Sequence, residues 1–209
     1  MRIIAGLFRS RTLEAPAGLA TRPTSDRLRE TLFNVLTPRI EGAVFLDLYS
    51  GSGAVGLEAL SRGAANAVFV ERAPAALSAL RANLAKLGLN EGFRVNTRSV
   101  GAFLRGSPGK DSRQKPTRKP EKRPAFDLVF LDPPYDAAEE YTATLGLLGG
   151  ASAALLAPGA VVIAEHRRKV RLEDRYGSLE RTRLLEQGDA SLSFYSAGPS
   201  GSFTDSQKQ

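Results

Sequence analysis

The chain has 209 residues, of which 42% are hydrophobic, a length and composition that suit one α/β domain with a small appendage. Cysteine is absent and His166 is the single histidine, which excludes disulfides, thiolate metal sites and multi-histidine metal sites. We therefore expect no bound metal ion. No stretch reaches the ~18 apolar residues of a membrane span, so we expect a soluble, cytoplasmic protein.

The formal net charge of +7 is concentrated in two segments of the chain. Residues 105–123 carry eight Lys and Arg side chains against two acids, and residues 1–29 carry six Arg against two acids. The rest of the chain is slightly acidic. This distribution favours a polyanionic partner such as a nucleic acid.

The N-terminal part of the chain predicts a hairpin followed by a helix. Residues 2–13 place apolar pairs on either side of a glycine and basic side chains, which is the pattern of a short hairpin. Thr24 or Ser25 can cap a helix that runs to about Leu36, because apolar residues recur at helical spacing up to that point. Pro38 lies just past the predicted end of this helix.

Further along the chain, strands and helices alternate. Strands are predicted at 43–48, 67–70, 93–97, 126–131 and 160–164, and helices at 54–62, 73–87, 101–104 and 137–148. Two more segments, 179–185 and 190–196, predict an antiparallel closing pair. This order is typical of an α/β fold with a doubly wound sheet, in which ligands bind outside the carboxyl ends of the strands.

We expect the chain to divide into a small extension, a main domain and a tail. The parts are residues 1–38 as the N-terminal hairpin and helix extension, 39–198 as the main domain, and 199–209 as a disordered tail. Residues 106–124 interrupt the main domain with Lys, Arg, Pro and Ser and almost no apolar side chains. This segment predicts a basic, disordered surface insertion.

A glycine-rich loop follows the first predicted strand, with Gly51 and Gly53 in the turn and Gly56 in the helix behind it. This spacing, with Glu71 at the end of the second strand, fits a dinucleotide as well as S-adenosylmethionine. Asp47 favours S-adenosylmethionine, because a carboxylate just before the loop repels a pyrophosphate and attracts an ammonium and a sulfonium. Glu71 can accept hydrogen bonds from both ribose hydroxyls of the cofactor.

The fourth predicted strand ends in Asp132-Pro133-Pro134-Tyr135. The two prolines fix φ and remove two N–H donors, so this turn is stiff and holds the Asp132 carboxylate in one direction. The lone pair of an amino group on a base is delocalised into the ring, and acceptors on its two N–H bonds free that lone pair. Asp132 and the Pro133 carbonyl can supply these acceptors, and Tyr135 can stack on the extruded base. The turn therefore predicts methylation of an exocyclic base amine.

A longer set of residues connects these motifs. They are Arg2-Ile3-Ile4-Ala5-Gly6, the block Arg22–Asn34, Leu46-Asp47, Gly51-Ser52-Gly53, the block Gly56–Gly63 and Asp132-Pro133-Pro134-Tyr135. This set closely resembles the bacterial 16S rRNA guanine-N2 methyltransferases of the RsmD type. The resemblance runs from Arg2 to about Glu165; the Arg22–Asn34 block is highly specific, whereas the glycine loop alone is not.

The resemblance implies a seven-stranded, Rossmann-like class I methyltransferase fold that uses S-adenosylmethionine. It implies that the substrate is a guanine of 16S rRNA in the small ribosomal subunit or its precursor, and we expect the enzyme to be a monomer. The cofactor-binding residues that it implies are Thr24, Arg27, Asp47, Ser50, Gly51, Gly53 and Glu71, with Ser99 and Val100 in the place of the usual adenine contact. The turn residues Asp132, Pro133, Pro134 and Tyr135 are then catalytic, with Tyr135 as the aromatic that stacks on the base.

The chain also departs from the family in three places. The family often has glycine at the positions of Ala5 and Ser10, and it usually has Asp or Asn followed by Ala where this chain has Ser99-Val100. The basic insertion is longer than the family leads us to expect.

Four arginines are expected to position the RNA: Arg2, Arg9, Arg11 and Arg22.

Three rival interpretations stay open. A DNA adenine or cytosine amino-methyltransferase would use the same tetrapeptide, but it normally needs a target-recognition domain for which this chain has little room. A protein-glutamine methyltransferase prefers Asn before the two prolines. A non-catalytic RNA-binding assembly factor would not need an intact Asp132 and glycine loop.

His166 is a possible catalytic base, but we expect it to be a surface histidine.

Overall fold

The computed structural model describes residues 1–16, 25–106, 125–134 and 138–197. These residues form a mixed sheet of eight strands in the order β3-β2-β1-β4-β5-β8-β7-β6. The strands are β1 Val44–Leu48, β2 Asn66–Val70, β3 Phe93–Asn96, β4 Phe126–Leu131, β5 Leu156–Arg167, β6 Arg175–Tyr176, β7 Leu179–Gln187 and β8 Ala190–Ala197. Strands β1 to β5 pair in parallel, and β6, β7 and β8 continue the sheet antiparallel from β5.

Helices cover both faces of this sheet. They are α1 Asp26–Ile40, α2 Ala54–Ser61, α3 Pro74–Lys86, α4 Val100–Leu104 and α5 Ala138–Leu148, with a 3-10 turn at Ala153–Leu155. Helices α1, α2 and α3 bury apolar side chains in one hydrophobic cluster, and α4 and α5 bury theirs in a second cluster on the opposite face. The predicted doubly wound α/β sheet is therefore confirmed.

Strand β1 lies in the middle of the five parallel strands. Phe45 belongs to the cluster of α1, α2 and α3, whereas Leu46 and Leu48 belong to the cluster of α4 and α5, because successive side chains of a strand point to opposite faces. The chain runs outward from β1 through β2 to β3, then returns to place β4 on the other side of β1. The switch point between β1 and β4 is where sheets of this type bind ligands.

Helix α1 is longer than the sequence predicts. Ser25 caps its start as expected, with its hydroxyl accepting a hydrogen bond from the Leu28 N–H at 3.1 Å. The helix continues past Leu36 and through Pro38 to Ile40. Burial of Ile40 in the core offsets the cost of a proline in the last turn.

The sheet has eight strands where seven were expected, because the two-residue strand β6 pairs with the start of β7. Strand β5 also extends beyond the predicted 160–164, since Leu156 pairs with β4 and Arg167 pairs with Ala190 of β8. These additions lengthen both halves of the sheet, because Leu156 extends the parallel pairing with β4 and Arg167 extends the antiparallel pairing with β8.

The predicted N-terminal hairpin is confirmed. The Ile3 N–H donates to the Arg11 carbonyl and the Leu13 N–H donates to the Met1 carbonyl, each at 2.9 Å. Ile3 and Leu13 are buried in the cluster shared with α1 and α2, so the hairpin packs into the core. Exposed basic side chains are left on its outer surface.

A buried carboxylate on α2 fixes the hairpin to the main sheet. The Glu58 side chain is inaccessible to solvent and accepts hydrogen bonds from the N–H groups of Ile4 at 2.7 Å and Ala5 at 3.0 Å. Its charge is balanced by Arg62 Nε at 2.7 Å and by the equally buried Arg29, whose Nε lies 3.8 Å away. A buried acid with these partners is costly to remove, so it makes the extension an integral part of the fold.

Several predicted features lie outside the described residues. They are residues 107–124 of the basic insertion, the tail at 199–209, and Arg22, Thr24 and Tyr135. In the described ranges, no helix is both long and apolar enough to cross a membrane. Across those same ranges, His, Cys, Asp and Glu side chains form no group of three or more that could hold a metal ion.

Candidate active site

The glycine loop lies at the carboxyl end of β1, where it connects this strand to α2. It turns sharply because Tyr49, Gly51 and Gly53 have left-handed φ angles of 61°, 56° and 82°. The φ of Gly53 favours glycine, and a Cβ atom there would lie 2.4 Å from Leu80 Cδ1 and would displace the end of that side chain. Gly53 is also the N-cap of α2, which places the free N–H groups of that helix at the loop.

Asp47, just before the loop, is buried with 2% of its surface exposed. Its Oδ2 accepts a hydrogen bond from the Gly56 N–H at 2.8 Å, which joins the end of β1 to α2. Burial raises the pKa of the Asp47 carboxyl to about 7; the Gly56 hydrogen bond opposes this shift, and the nearby Glu71 adds to it. A cation placed beside Asp47 would stabilise the charged carboxylate that burial disfavours.

Glu71 follows β2 and holds the glycine loop from its other side. Its Oε2 accepts from the Gly51 N–H at 2.9 Å, and its Oε1 accepts from the Arg72 and Ala73 N–H groups at 2.7 Å. A carboxylate offers about four lone-pair sites, so these three bonds leave room for a ligand hydroxyl. Glu71 thus fixes the loop against the start of α3 in addition to its predicted contact with a ribose.

The predicted cofactor contacts Ser50 and Ser99-Val100 lie in different environments in the structure. Ser50 is only 8% exposed, and its Oγ has no hydrogen-bond partner among the described residues. Since an unpaired buried hydroxyl costs ~1–3 kcal/mol, Ser50 fits a loop that a bound ligand completes. Ser99 is exposed and caps α4 by accepting from the Ala102 N–H at 3.3 Å, while Val100 is buried. Their contact with an adenine stays a prediction.

The Asp132 turn leaves the sheet beside the glycine loop. Strands β1 and β4 are neighbours with Leu48 opposite Leu131, so Asp132 follows β4 where the loop begins to leave β1. Pro133 is buried and Pro134 is exposed. One proline ring is therefore anchored in the protein, and the fixed φ angles of both prolines make the Asp132 direction rigid.

The electrostatic environment of this turn is acidic. Desolvation raises the pKa of Asp132 well above its usual range, and the neighbouring carboxylates of Glu165 and Asp47 raise it further. These three acids come from the ends of adjacent strands β4, β5 and β1. An edge of this kind suits ligands that bring hydrogen-bond donors or positive charge.

His166 is buried, with 3% of its surface exposed, so the prediction of a surface histidine is wrong. Its Nδ1 lies 3.0 Å from the Arg167 carbonyl oxygen, which can only accept, so Nδ1 carries the proton; Nε2 accepts from the Ser193 hydroxyl at 2.9 Å. Burial lowers the pKa of His166 and favours the neutral ring. The ring packs edge-on against Tyr141, on the face of β5 opposite Glu165. This placement favours a structural role, in which the hydrogen bond from Ser193 of β8 to His166 of β5 helps to hold the two strands together.

Asn83 on α3 is a site residue that the sequence analysis missed. Its Nδ2 donates to the Ser52 carbonyl of the glycine loop at 3.0 Å and to the Glu14 carbonyl at 3.1 Å, and its Oδ1 accepts from the Glu14 N–H at 2.7 Å. It thus connects the N-terminal segment to the loop. A polar residue beside Leu84 on the apolar face of a helix was the available signal.

Tyr49 was also missed, although it lies in the loop itself. Its hydroxyl donates to Glu140 Oε2 at 2.7 Å and lies 2.8 Å from Thr144 Oγ1, both on α5. These contacts hold a non-glycine residue in the left-handed conformation and fix the loop to the opposite face of the sheet.

A cavity of about 340 Å³ lies between the hairpin and the start of α1. Its charged lining residues are Arg2, Arg9, Arg27, Asp26 and Glu30. Arg27, which was expected to contact the cofactor, therefore shares a cavity with two of the arginines that were expected to position RNA. The structure brings these three cations together in space.

The fold and the site together define the chain as a methyltransferase of the α/β class. The chain is similar to the solved structure of yhhF from Escherichia coli, a protein described provisionally as a methyltransferase. The two structures superpose with a TM-score of 0.76 and 33% sequence identity, over 94% of this chain and 97% of the yhhF chain. The glycine loop after β1 and the acids at the neighbouring strand ends lie at the ligand-binding edge of this fold.

The chain belongs to the family described as Conserved hypothetical protein 95, whose sequence profile matches residues 1–196. YlbH of Bacillus subtilis, named provisionally as an rRNA methyltransferase, is 33% identical over 195 residues, which are 93% of this chain and 98% of YlbH. Ribosomal RNA small subunit methyltransferase D of Escherichia coli K12 is 42% identical over 137 residues, which are 65% of this chain and 60% of that protein. The predicted resemblance to the RsmD-type family is confirmed.

Proposed function

We propose that the protein transfers a methyl group from S-adenosylmethionine to the exocyclic N2 amine of a guanine in 16S rRNA, in the small ribosomal subunit or its precursor. The observation that carries this proposal is the position of Asp132. It lies on a rigid double-proline turn at the end of β4, beside the glycine loop at the end of β1. The names of the rRNA methyltransferase relatives support the choice of substrate.

The residues around the glycine loop fit S-adenosylmethionine. Its ammonium and sulfonium are the charges that a buried Asp47 favours, whereas a pyrophosphate would be repelled. Its ribose hydroxyls can use the remaining lone pair of Glu71 and the unpaired hydroxyl of Ser50. The cofactor supplies the electrophilic methyl group, and the protein residues position it.

Asp132 and the Pro133 carbonyl are the groups that would activate the amine. By accepting hydrogen bonds from the N2 hydrogens, they draw the nitrogen lone pair out of the ring and toward the methyl carbon. The N–C bond forms as the S–C bond breaks, and the amine then loses one proton to Asp132 or to water. Positioning of the amine in line with the methyl group supplies much of the rate.

The RNA would reach this site across the N-terminal hairpin. Arg2 and Arg9 line the cavity next to α1 together with Arg27, and Arg11 is exposed on the same hairpin. Arginines present several donors in a fixed fork that matches phosphate oxygens. Because the hairpin is anchored to Glu58 on α2, these cations keep a fixed position relative to the glycine loop.

Incubation with labelled S-adenosylmethionine tests this function directly. The protein is given small ribosomal subunits that lack the modification, double-stranded DNA, or free ribosomal proteins, and the products are digested and identified by mass spectrometry. We expect the label in N2-methylguanosine from the small subunit. Label in N6-methyladenine or N4-methylcytosine of DNA, in methylglutamine, or in none of the three substrates would overturn the proposal.

A further inference from the structure

Glu165 lies next to Asp132 across the β4–β5 pair. Strands β4 and β5 are parallel with Leu131 opposite Ala164, so the next position on each strand brings Asp132 beside Glu165. Neighbouring strands are about 4.8 Å apart, which places these two acids within reach of one small planar group. Glu165 is 2% exposed, so its carboxylate lies inside the protein.

The two side chains also point to the same face of the sheet. Phe130 on β4 and Ile163 on β5 both belong to the hydrophobic cluster of α1, α2 and α3. Asp132 and Glu165 each follow two residues later and therefore face the same side, as Asp47 does on β1. His166 points to the other face.

Two acids from the strands that flank β4 change the pKa of Asp132. Glu165 from β5 and Asp47 from β1 both raise the pKa of Asp132, in addition to the larger effect of desolvation. A buried carboxylate and a partly buried one side by side repel each other, and neutral N–H donors placed between them reduce that repulsion. The pair is therefore suited to a substrate edge that offers two adjacent donors.

We propose that Glu165 is a base-specificity residue, which accepts a hydrogen bond from the N1–H of the target guanine while Asp132 accepts from its N2 amine. This inference deepens the proposed function and rests on it. On the Watson–Crick edge of guanine, N1–H and N2–H are adjacent donors. Adenine and cytosine also carry an exocyclic amine, but the ring nitrogen beside it is an acceptor.

This difference between the bases would let Glu165 select guanine. The double-proline turn presents acceptors to any exocyclic amine, so it does not distinguish guanine from adenine or cytosine. Glu165 would face an acceptor lone pair in both of the wrong bases and would lose its hydrogen bond. Sites that are built to bond a donor reject analogues without it by large factors, because two acceptors then face each other with no proton between them.

The test compares the full-length wild type with Glu165→Gln and Glu165→Asp on small ribosomal subunits that lack the modification. Glu165→Gln keeps the shape but removes the charge and replaces one carboxylate oxygen with an amide donor, so we expect kcat/KM for guanine methylation to fall about 10- to 100-fold. The Kd for S-adenosylmethionine should stay within about twofold. Glu165→Asp keeps the acceptor and should retain more activity than Glu165→Gln.

The pH profile separates this role from a structural one. Activity requires ionised Asp132, and loss of the Glu165 charge lowers the pKa of Asp132, so the acidic limb of kcat/KM should move to lower pH in Glu165→Gln. His166→Gln is the matched control, a buried substitution on the opposite face of β5, and should lower the melting temperature without moving that limb.

The outcomes distinguish this inference from the proposed function. If the wild type fails to methylate guanine in the small subunit, the proposed function fails first. If the wild type methylates guanine, but Glu165→Gln retains its kcat/KM and its acidic limb, the role of Glu165 is wrong. Should Glu165→Gln not fold, Glu165→Ala removes both the acceptor and the charge, and a kcat/KM and an acidic limb identical to wild type in that variant would equally overturn the inference.

Discussion

We expect Asp47 to make cofactor binding depend on pH near neutrality. Its pKa is raised to about 7 by burial, and a cationic ligand prefers the ionised carboxylate. Below that pH, binding must release a proton, so we expect the affinity for S-adenosylmethionine to fall about tenfold per pH unit, and to level off at higher pH. Titration calorimetry across this range measures the slope.

Two substitutions check the assignment to Asp47. Asp47→Asn should bind more weakly at high pH and should lose most of the slope, because the titrating group is gone. Asp127→Asn, at the opposite end of the neighbouring strand β4, should keep the wild-type slope. A wild-type affinity that does not change with pH would contradict the role of Asp47.

Ser10 has a strained backbone conformation, which its substitution by glycine should relieve. Ser10 has a φ of 67°, a left-handed conformation that costs a side chain roughly 1–2 kcal/mol and costs glycine little. We expect Ser10→Gly to raise the free energy of unfolding by about 1 kcal/mol in chemical denaturation. Ala5 has no positive φ, so Ala5→Gly should instead lower it by about 0.5–1 kcal/mol. A destabilised Ser10→Gly variant would refute this explanation.

Some site residues could be predicted from the sequence and others could not. Glu71 and Asp132 come directly after apolar strands, Asp47 lies near the end of one, and all three belong to recognisable motifs; the structure places them at one edge of the sheet. Glu165 also ends an apolar segment, but no motif marks it. Its burial depends on the antiparallel strand β8, which pairs with β5 from a distant part of the sequence.

At the scale of elements, Asn83 couples the N-terminal segment to the glycine loop. Asn83→Ala would leave the Ser52 carbonyl and both backbone groups of Glu14 without their partner. We expect the free energy of unfolding to fall by about 1–3 kcal/mol and the affinity for S-adenosylmethionine to fall with it. Denaturation and calorimetry measure the two effects.

Asn90 provides the control for this prediction. It is exposed, and its side chain makes only a local bond to the Gly88 carbonyl at 3.3 Å. Asn90→Ala should change the free energy of unfolding by less than about 0.5 kcal/mol and leave cofactor affinity unchanged. Equal effects of Asn83→Ala and Asn90→Ala would show that the proposed coupling is absent.

Element types were easier to predict than element ends. The parallel strands are short apolar segments with clear periodicity, so β1 to β4 lie close to their predicted positions. The end of α1 was missed because burial of Ile40 outweighs the local signal of Pro38. Strand β6 has only two residues, and its pairing with β7 is a tertiary contact that no local pattern reveals.

At the scale of the whole molecule, the basic segments should determine how RNA binding responds to salt. Arg9 and Arg11 are exposed on the anchored hairpin, and each phosphate that they contact releases counterions. We expect Arg9→Ala/Arg11→Ala to weaken binding to small subunits and to make the plot of log affinity against log salt shallower, by about 0.7 per lost single-strand contact. Cofactor affinity should not change.

The basic insertion can be tested by the same measurement. Residues 107–123 carry seven Lys and Arg side chains, and replacing them with a short Gly/Ser linker should leave cofactor binding intact while reducing substrate affinity and the salt slope. Unchanged affinity and slope would leave the hairpin as the source of the electrostatic attraction.

The most direct test of the account is the turnover of Asp132→Ala on small ribosomal subunits that lack the modification, measured as N2-methylguanosine by mass spectrometry. Asp127→Ala, at the other end of β4, serves as the matched control, and cofactor affinity and melting temperature are measured for both. We predict that Asp132→Ala loses at least about 100-fold in kcat while its Kd for S-adenosylmethionine stays within a few-fold of wild type. Formation of N2-methylguanosine by Asp132→Ala at the wild-type rate would contradict the account.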